Sequence, residues 1–413
     1  MTTQPDLETL LSRARALEPA AQYDEALQDL DAVLSRARAE GSRSFEAAAL
    51  HHRGRILRIR GELAQAEDSV RQAAALFSDL GDRVGQAQAL LVQGEIFSDL
   101  ARFRDFEDLC RDALEIGRAA TSPLVEARAL TLLGTAQVLQ GRADEARVQI
   151  DAGVEVYQRT GDRRGAATSL LMLGRVDHMR GRLADASRSV EQALGIFEEL
   201  GETRATTAAA FSLGQIGLER GVLEQAGTFA QRGLALTEDT SDVVMQLRCM
   251  LLLAQIRIEG GQAAEALEGM QRAEALCQGY DLASILPEIL RVTAQAQIAL
   301  GQGVAAEQSA RRGIAETTED DVYSQGTTRL VLALALEALG RNGEADLEFV
   351  RAVGDLDNAE ETYEIGWSHL AYAQFLINQN RRDQGREHLA EALRAFSALE
   401  AAGRVAFIKQ LMG

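Results

Sequence analysis

The sequence LLMLGRVDHMRGRLADASRSVEQALGIF occupies residues 170–197, and its pattern decides the fold. Four small residues stand within it, namely Gly174, Gly181, Ala186 and Ala193. Between them, apolar residues recur at every third or fourth position, which is the spacing of one face of an amphipathic α-helix. Gly181 follows the first apolar stretch, and glycine readily adopts the left-handed conformation that ends a helix. The stretch therefore predicts two helices joined by a short turn.

The same small residues recur along the chain in four columns with a period of 40 residues. Ten units define 40 such positions, and 37 of them hold Gly or Ala; the exceptions are Val33, Phe106 and Asn380. The spacing shortens by one residue beyond Ile314. A fixed period of this length is the signature of stacked helical units, and small residues allow two helices to approach closely. We expect an all-α fold of about ten antiparallel helix hairpins, with units starting near residues 5, 45, 85, 125, 165, 205, 245, 285, 324 and 364.

One order of residues in each unit points to a known repeat, here Leu173-Gly174, Gly181, Ala186 and Ala193. This order resembles the tetratricopeptide repeat (TPR), although that repeat has a period of about 34 residues. The longer period is similar to that of kinesin light chains, spindle-orientation adaptors and bacterial regulators. The resemblance covers nearly the whole chain and lacks only the large aromatic and the proline of the family pattern.

The resemblance implies a right-handed α-solenoid, a superhelix of hairpins, over residues 1–402. Residues 403–413 follow the last hairpin and contain Val405, Ile408 and Leu411 at helical spacing. A terminal repeat needs its open apolar face covered. We therefore expect a short C-terminal capping helix over residues 403–413.

Composition argues against several partners and locations. The net charge of −19 disfavours nucleic acid, whose phosphates require a basic surface. No stretch is apolar for long enough to span a membrane, and the first residues do not resemble a secretory signal. The three cysteines are far apart, which is typical of a reducing compartment, and Lys409 is the only lysine, which is typical of a GC-rich bacterial genome. We expect a cytoplasmic bacterial protein with no nucleic-acid or membrane partner.

The sequence carries no motif for catalysis, for a metal or for a cofactor. Its five histidines form no metal-spaced cluster. A glycine-rich phosphate loop, a nucleophile elbow and a Cys–His dyad are all missing from the sequence. We therefore expect no enzymatic activity, no metal and no cofactor.

The resemblance also implies where a ligand binds. In this family the first helix of each hairpin lines a concave groove, and the residue after the first small column faces it. Four units place glutamine there: Gln215, Gln255, Gln295 and Gln374. A primary amide donates and accepts hydrogen bonds, so such a row can pair with the backbone of an extended peptide, as asparagine does in relatives. The alternative is that glutamine is simply a good helix former on a wet surface.

Arginines flank the glutamines at groove-facing positions, namely Arg128, Arg175, Arg248 and Arg291. They can hold ligand carboxylates by bidentate pairing, or they can pair with acidic residues of the same strip, which are Glu219, Glu259 and Glu288. A second candidate surface is the segment 316–364, which has 13 acidic residues and three arginines. That segment is either a solvated face or a dock for a basic partner.

From these features we expect a non-catalytic scaffold or adaptor that binds a peptide segment of a partner protein in the groove. The alternative is a regulatory sensor, similar to peptide-pheromone receptors and large transcriptional activators, whose superhelix changes shape when a small peptide or effector binds. The repeats begin near residue 7 and continue to the end, which leaves no output domain and favours the adaptor. Homodimerisation is compatible with either function. A helical-repeat enzyme would need a clustered acid–base pair, which the sequence does not show.

Overall fold

The computed structural model describes residues 5–20, 22–238, 242–280, 282–318, 321–359, 362–399 and 401–412. Within these ranges the chain forms 21 α-helices, one 3-10 turn at Ala283–Ile285 and no β-strand, which confirms the all-α class. The first ten helices are α1 (Leu7–Leu17), α2 (Tyr23–Glu40), α3 (Arg43–Ile59), α4 (Leu63–Asp79), α5 (Arg83–Asp99), α6 (Phe103–Ala119), α7 (Pro123–Leu139), α8 (Ala143–Thr160), α9 (Arg163–Met179) and α10 (Leu183–Leu200). The others are α11 (Thr203–Arg220), α12 (Leu223–Glu238), α13 (Val243–Glu259), α14 (Ala263–Gly279), α15 (Leu286–Ala299), α16 (Gly303–Glu316), α17 (Val322–Ala338), α18 (Asn342–Ala359), α19 (Thr362–Asn378), α20 (Arg382–Ala398) and α21 (Ala402–Met412).

The helices form hairpins, in each of which an odd-numbered helix precedes an even-numbered one, and these belong to two compact units. The first unit comprises the described residues up to Met179 together with Ala184–Ala209. The second comprises Arg180–Leu183, Ala210–Glu238 and the described residues from Asp242 onward. In the first unit α3, α5, α7 and α9 contact one another in chain order, and in the second α13, α15, α17 and α19 do the same. Each unit therefore has one surface made by the first helices of its hairpins.

The first small column lies where the two helices of a hairpin touch. A Cβ atom on Gly134 in α7 would lie 2.5 Å from Cγ1 of Ile150 and 2.8 Å from the carbonyl oxygen of Ala146, both in α8. The same approach recurs at Gly54, whose Cβ would lie 2.4 Å from Cγ1 of Val70. Because Cβ atoms essentially never come within 3.0 Å of such atoms, only glycine fits without a shift of its neighbours. The predicted contact between the first and third columns is confirmed.

The second small column ends the first helix of each hairpin in the left-handed conformation. All of its described residues have a positive φ, between 56° and 78°. They are Gly61, Ala101, Gly141, Gly181, Gly221, Gly261, Gly301, Gly340 and Asn380. The remaining member, Ala21, lies outside the described residues. The predicted left-handed caps are therefore confirmed, and they reverse the chain between the two helices.

Replacing Ala101 by glycine is expected to stabilise the protein by about 0.5–1 kcal/mol. Ala101 follows α5 with a φ of 56°, a conformation that costs a residue with a Cβ atom about 1–2 kcal/mol, and glycine's greater freedom in the unfolded chain offsets part of the gain. As a control, Ala32→Gly at an exposed position within α2 should destabilise by about 1 kcal/mol. Urea unfolding of the full chain measures both, and a loss of stability in Ala101→Gly would contradict the strain argument.

The interior of each unit is apolar. In the second unit the rings of Phe349, Tyr372 and Phe375 pack together, with centroids of Phe349 5.3 Å and 5.0 Å from those of the other two. The three cysteines are buried free thiols, and burial raises the pKa of Cys249 to about 12, so this thiol is inert at neutral pH. None of the described helices combines the length and the apolar character needed to cross a membrane.

The helix α21 covers the last hairpin. Ile408 is fully buried in a cluster with Leu389 and Phe396 of α20, and Val405 packs against the same cluster. Leu411 is 37% exposed and contributes less than the sequence predicts. The cap therefore depends mainly on Ile408.

Candidate functional site

The second unit carries four half-buried glutamines on first helices of its hairpins. They are Gln215 on α11, Gln255 on α13, Gln295 on α15 and Gln374 on α19. Each directly follows a buried small residue, so the small residue packs within the hairpin while the glutamine borders the open face. We call these four residues the glutamine strip.

The amides of the glutamine strip are free to bind a ligand. No side-chain hydrogen bond joins any of the four to another described residue. By contrast Gln297, on another face of α15, accepts a hydrogen bond of 2.9 Å from Oγ of Ser309. Each free amide offers two donor hydrogens and an oxygen acceptor. The glutamine strip can therefore meet the alternating N–H and C=O groups of a peptide backbone.

Two of the predicted arginines lie beside this strip in the second unit. Arg248 is exposed and precedes Gln255 by seven residues, so both lie on the same face of α13. Arg291 on α15 is only 8% exposed, and its Nη2 lies 3.5 Å from Oε1 of Glu288 on the same helix. Arg248 can reach a ligand from solvent, whereas Arg291 is held against its own helix.

The other two predicted arginines belong to the first unit. Nη2 of Arg128 on α7 donates to Oε2 of Glu95 on α5 at 3.3 Å. Nη1 of Arg175 on α9 lies 3.9 Å from Sδ of Met172. The eight residues predicted from the sequence are therefore divided, with two in the first unit and six in the second.

Charged side chains on the first helices of the first unit, and Glu18 at the C-terminal end of α1, pair with one another. We call Glu18, Arg55, Arg58, Glu95 and Arg128 the charge cluster. Nη2 of Arg55 lies 2.7 Å from Oε1 of Glu18, and Nη2 of Arg58 lies 3.8 Å from Oε2 of Glu95. Their side chains keep between 10% and 27% of their surface exposed. Of this cluster the sequence predicted only Arg128 as a site residue, although Arg55 and Glu95 occupy the same column as the glutamine strip.

The electrostatics of the charge cluster keep its carboxylates ionised. Burial raises the pKa of Glu95, but Arg58, Arg128 and Arg55 outweigh burial, and the resulting pKa is below the ordinary value. Burial also lowers the pKa of the neighbouring His52, and Glu18 opposes this only in part. Nε2 of His52 accepts a hydrogen bond of 3.0 Å from Arg15, as a neutral ring can. The charged side chains of this face pair with one another, whereas the amides of the glutamine strip have no such partner among the described residues.

The described part of the acidic segment 316–364 is also paired internally. Four arginines contact its carboxylates: Arg329 with Glu348 and Asp355, Arg341 with Glu344, Arg351 with Glu348, and Arg381 with Asp346. Glu319, Asp320, Glu360 and Glu361 lie outside the described residues. The pairing leaves less negative charge available than the composition of the segment suggests.

Two histidines in the second unit, His369 and His388, contact each other, and His369 also contacts Asp357. Nδ1 of His388 lies 2.8 Å from Nδ1 of His369, and Nε2 of His369 lies 3.2 Å from Oδ1 of Asp357. In a neutral pair His388 donates to His369, which donates in turn to Asp357. Among the described residues, no group of three or more His, Cys, Asp or Glu side chains is arranged to hold a metal ion.

Comparisons with known proteins connect this geometry to a family. A model of the family described as the MalT-like TPR region matches residues 85–394. No curated protein sequence matches the chain significantly.

Three solved structures show a similar fold. Aspartyl phosphate phosphatase F from Bacillus subtilis is 15% identical with a TM-score of 0.59, and the match covers 84% of this chain and 93% of that one. The Rap conjugation gene regulator of the plasmid pLS20, solved in complex with the Phr* peptide, is 11% identical with a TM-score of 0.53 over 79% and 97% of the two chains. The apo form of the quorum sensor NprR from B. thuringiensis is 11% identical with a TM-score of 0.51 over 94% and 98%. At these identities the likeness establishes the helical repeat fold alone.

Proposed function

Because the chain belongs to the family of MalT-like TPR regions, we propose that it is a non-catalytic scaffold or adaptor that binds an extended segment of a partner protein along the glutamine strip. The single observation that carries the proposal is the set of four half-buried amides in one column, none of which has a partner among the described residues. The pLS20 regulator, which was solved with a bound peptide, supports a peptide as the ligand. The proposal places this activity in the bacterial cytoplasm.

The spacing of the strip suits an extended ligand. Packed neighbouring helices have axes about 8–10 Å apart, and α13 contacts α15. An extended peptide advances about 3.1–3.4 Å per residue. Gln255 and Gln295 are therefore spaced to contact every third residue of the ligand. Arg248 lies beside them and favours an acidic side chain in the ligand.

A regulatory sensor is the second candidate, because the quorum sensor NprR shares the fold over 94% of this chain. In a sensor the bound peptide changes the shape of the protein, whereas in an adaptor it does not. Small-angle scattering of the full chain with and without saturating peptide separates the two. A change in radius of gyration on binding favours the sensor, and an unchanged value favours the adaptor.

Removing the strip amides is expected to weaken peptide binding for every peptide sequence alike. Peptides are selected from a displayed random dodecapeptide library and titrated against the full chain by calorimetry. Gln255→Ala and Gln295→Ala should each cost about 0.5–1.5 kcal/mol of binding free energy, because each loses hydrogen bonds to backbone. Gln271→Ala, at an exposed position on α14, is the matched control and should have no effect.

The decisive variant combines Gln215→Ala, Gln255→Ala and Gln295→Ala. Unchanged affinity of this triple variant would show that the strip is not the binding site. In that case the acidic segment 316–364 becomes the better candidate, and its interactions should weaken with rising salt.

A further inference from the structure

One contact in the second unit joins residues far apart in the sequence. Nη2 of Arg404 on α21 donates a hydrogen bond of 2.8 Å to Oε2 of Glu259, the last residue of α13. Cζ of the same guanidinium lies 4.2 Å from the centroid of the Trp367 ring on α19. Arg404 therefore bridges two first helices that are three hairpins apart.

Both partners of Arg404 lie on the face that carries the glutamine strip. Glu259 follows Gln255 by four residues, which places the two side chains on one face of α13. Trp367 precedes Gln374 by seven residues, or two turns, which places them on one face of α19. The Arg404 guanidinium thus occupies a position that a ligand of the strip would reach.

The residues around this guanidinium form a rigid site. The Trp367 ring packs edge-to-face against Tyr363 at 6.3 Å and against Phe396 at 5.9 Å between centroids. A Cβ atom on Gly366 would lie 2.9 Å from the Phe396 ring, so this packing is tight. Burial raises the pKa of Glu259, and Arg404 opposes that rise. A partly buried carboxylate beside a fixed indole is a site for a cation, most of all a planar guanidinium.

We propose that Glu259 and Trp367 form a recognition site for an arginine side chain of the bound peptide, and that Arg404 occupies this site until the ligand displaces it. The inference rests on the proposed function and specifies its ligand: a peptide with an arginine that reaches the C-terminal end of α13. The net charge of −19 attracts such a ligand.

A ligand arginine can replace Arg404 in its contact with Glu259 at little cost in stability. The side chains of Arg404 and Glu259 keep 30% and 26% of their surface exposed, and an ion pair so placed contributes little to stability. Ile408 is fully buried and holds α21 on α20. Only the Arg404 side chain has to move, so a ligand guanidinium replaces it without unfolding the helix.

The test uses the tripeptide acetyl-Gly-Arg-Gly-amide as probe and the fluorescence of Trp367, which is the only tryptophan in the chain. We expect the probe to bind Arg404→Gln at least about tenfold more tightly than the unaltered protein, because a site that is mostly occupied internally has a reduced apparent affinity. Arg404→Lys, which keeps the charge and the fold of α21, should lie between the two. Adding Glu259→Gln to Arg404→Gln should abolish the gain.

The control is Lys409→Gln, which removes one positive charge from an exposed position of the same helix. It should bind the probe like the unaltered protein. The proposal would be overturned if Lys409→Gln gained as much affinity as Arg404→Gln. It would also be overturned if the probe did not change the tryptophan fluorescence of Arg404→Gln. The same holds if a citrulline tripeptide, which is neutral and similar in shape, binds as well as the arginine one.

This test separates its own failure from failure of the proposed function. The tripeptide is too short to contact Gln215, Gln255 and Gln295 together, so its binding does not require an intact glutamine strip. If the arginine test fails but the glutamine-strip variants weaken dodecapeptide binding, only the arginine site is rejected. If the arginine test succeeds but the glutamine-strip variants do not change dodecapeptide binding, the glutamine strip is rejected as the binding site and the cation site is supported.

Discussion

Replacing Gly134 by leucine is expected to destabilise the hairpin of α7 and α8 by about 3 kcal/mol, at the upper end of the range for overpacking. Even a Cβ atom would lie 2.8 Å from the carbonyl oxygen of Ala146, and a backbone atom cannot rotate away as the side chain of Ile150 can. The two helices must therefore separate. Because repeat proteins are stabilised by contacts between neighbours, hydrogen exchange should accelerate in Pro123–Thr160 and much less in α1 and α2.

The matched control for this prediction is Gly195→Leu. Gly195 is exposed within α10, and a Cβ atom there would meet nothing within 4 Å. Leucine at that site should stabilise by up to about 1 kcal/mol, since it is a better helix former than glycine. A uniform acceleration of exchange over all described residues of Gly134→Leu would argue against nearest-neighbour coupling.

Replacing Glu95 by leucine is expected to destabilise the first unit by about 2–3 kcal/mol at neutral pH. The substitution leaves Arg128 without its carboxylate and leaves Arg58 with Asp99 alone, at 3.0 Å. Removing one partner of a fully buried ion pair costs about 3–5 kcal/mol. The effect here is smaller because the side chain of Glu95 keeps 20% of its surface exposed. Chemical denaturation of the full chain measures the loss of stability. Hydrogen exchange in α5 and α7 shows whether the loss is located there.

The contribution of Glu95 should also depend on pH. The pKa of Glu95 is lower in the folded protein than its ordinary value, so folding favours the ionised form. Its stabilisation is fully present above the unfolded pKa of about 4.3 and is lost as the pH falls through the folded pKa. The difference between the unaltered protein and Glu95→Leu should therefore shrink below about pH 4. Glu115→Leu, at an exposed position on α6, should show little change at either pH. A difference that does not vary with pH would contradict the assigned pKa shift.

The sequence predicted the hairpins well because their determinants are local. A helix period, a left-handed cap at Gly181 and a close contact at Gly134 each depend on residues within one unit of 40. The same local rule placed the glutamine strip on first helices, since Gln255 and Gln295 follow buried alanines. Which ligand the strip binds is a proposal that no periodicity decides.

Only the tertiary structure showed which charged side chains are paired within the protein. The sequence could not choose between a ligand and an internal partner for Arg128 or Arg291, and the structure pairs them with Glu95 and Glu288. The pair of Arg128 and Glu95 depends on side-chain directions across two neighbouring helices, which the residue order does not fix. Arg291 and Glu288 are three residues apart on α15, so the sequence offers this pair but does not decide whether it forms.

The composition and the period of the sequence by themselves determined an all-α series of capped hairpins. The contact of Arg404 with Glu259 and Trp367 came from the tertiary structure alone. Helices three hairpins apart meet or miss according to the sum of small rotations between successive hairpins, and each rotation depends on packing at every interface between them. A repeat period records the length of each unit and carries no information about that sum.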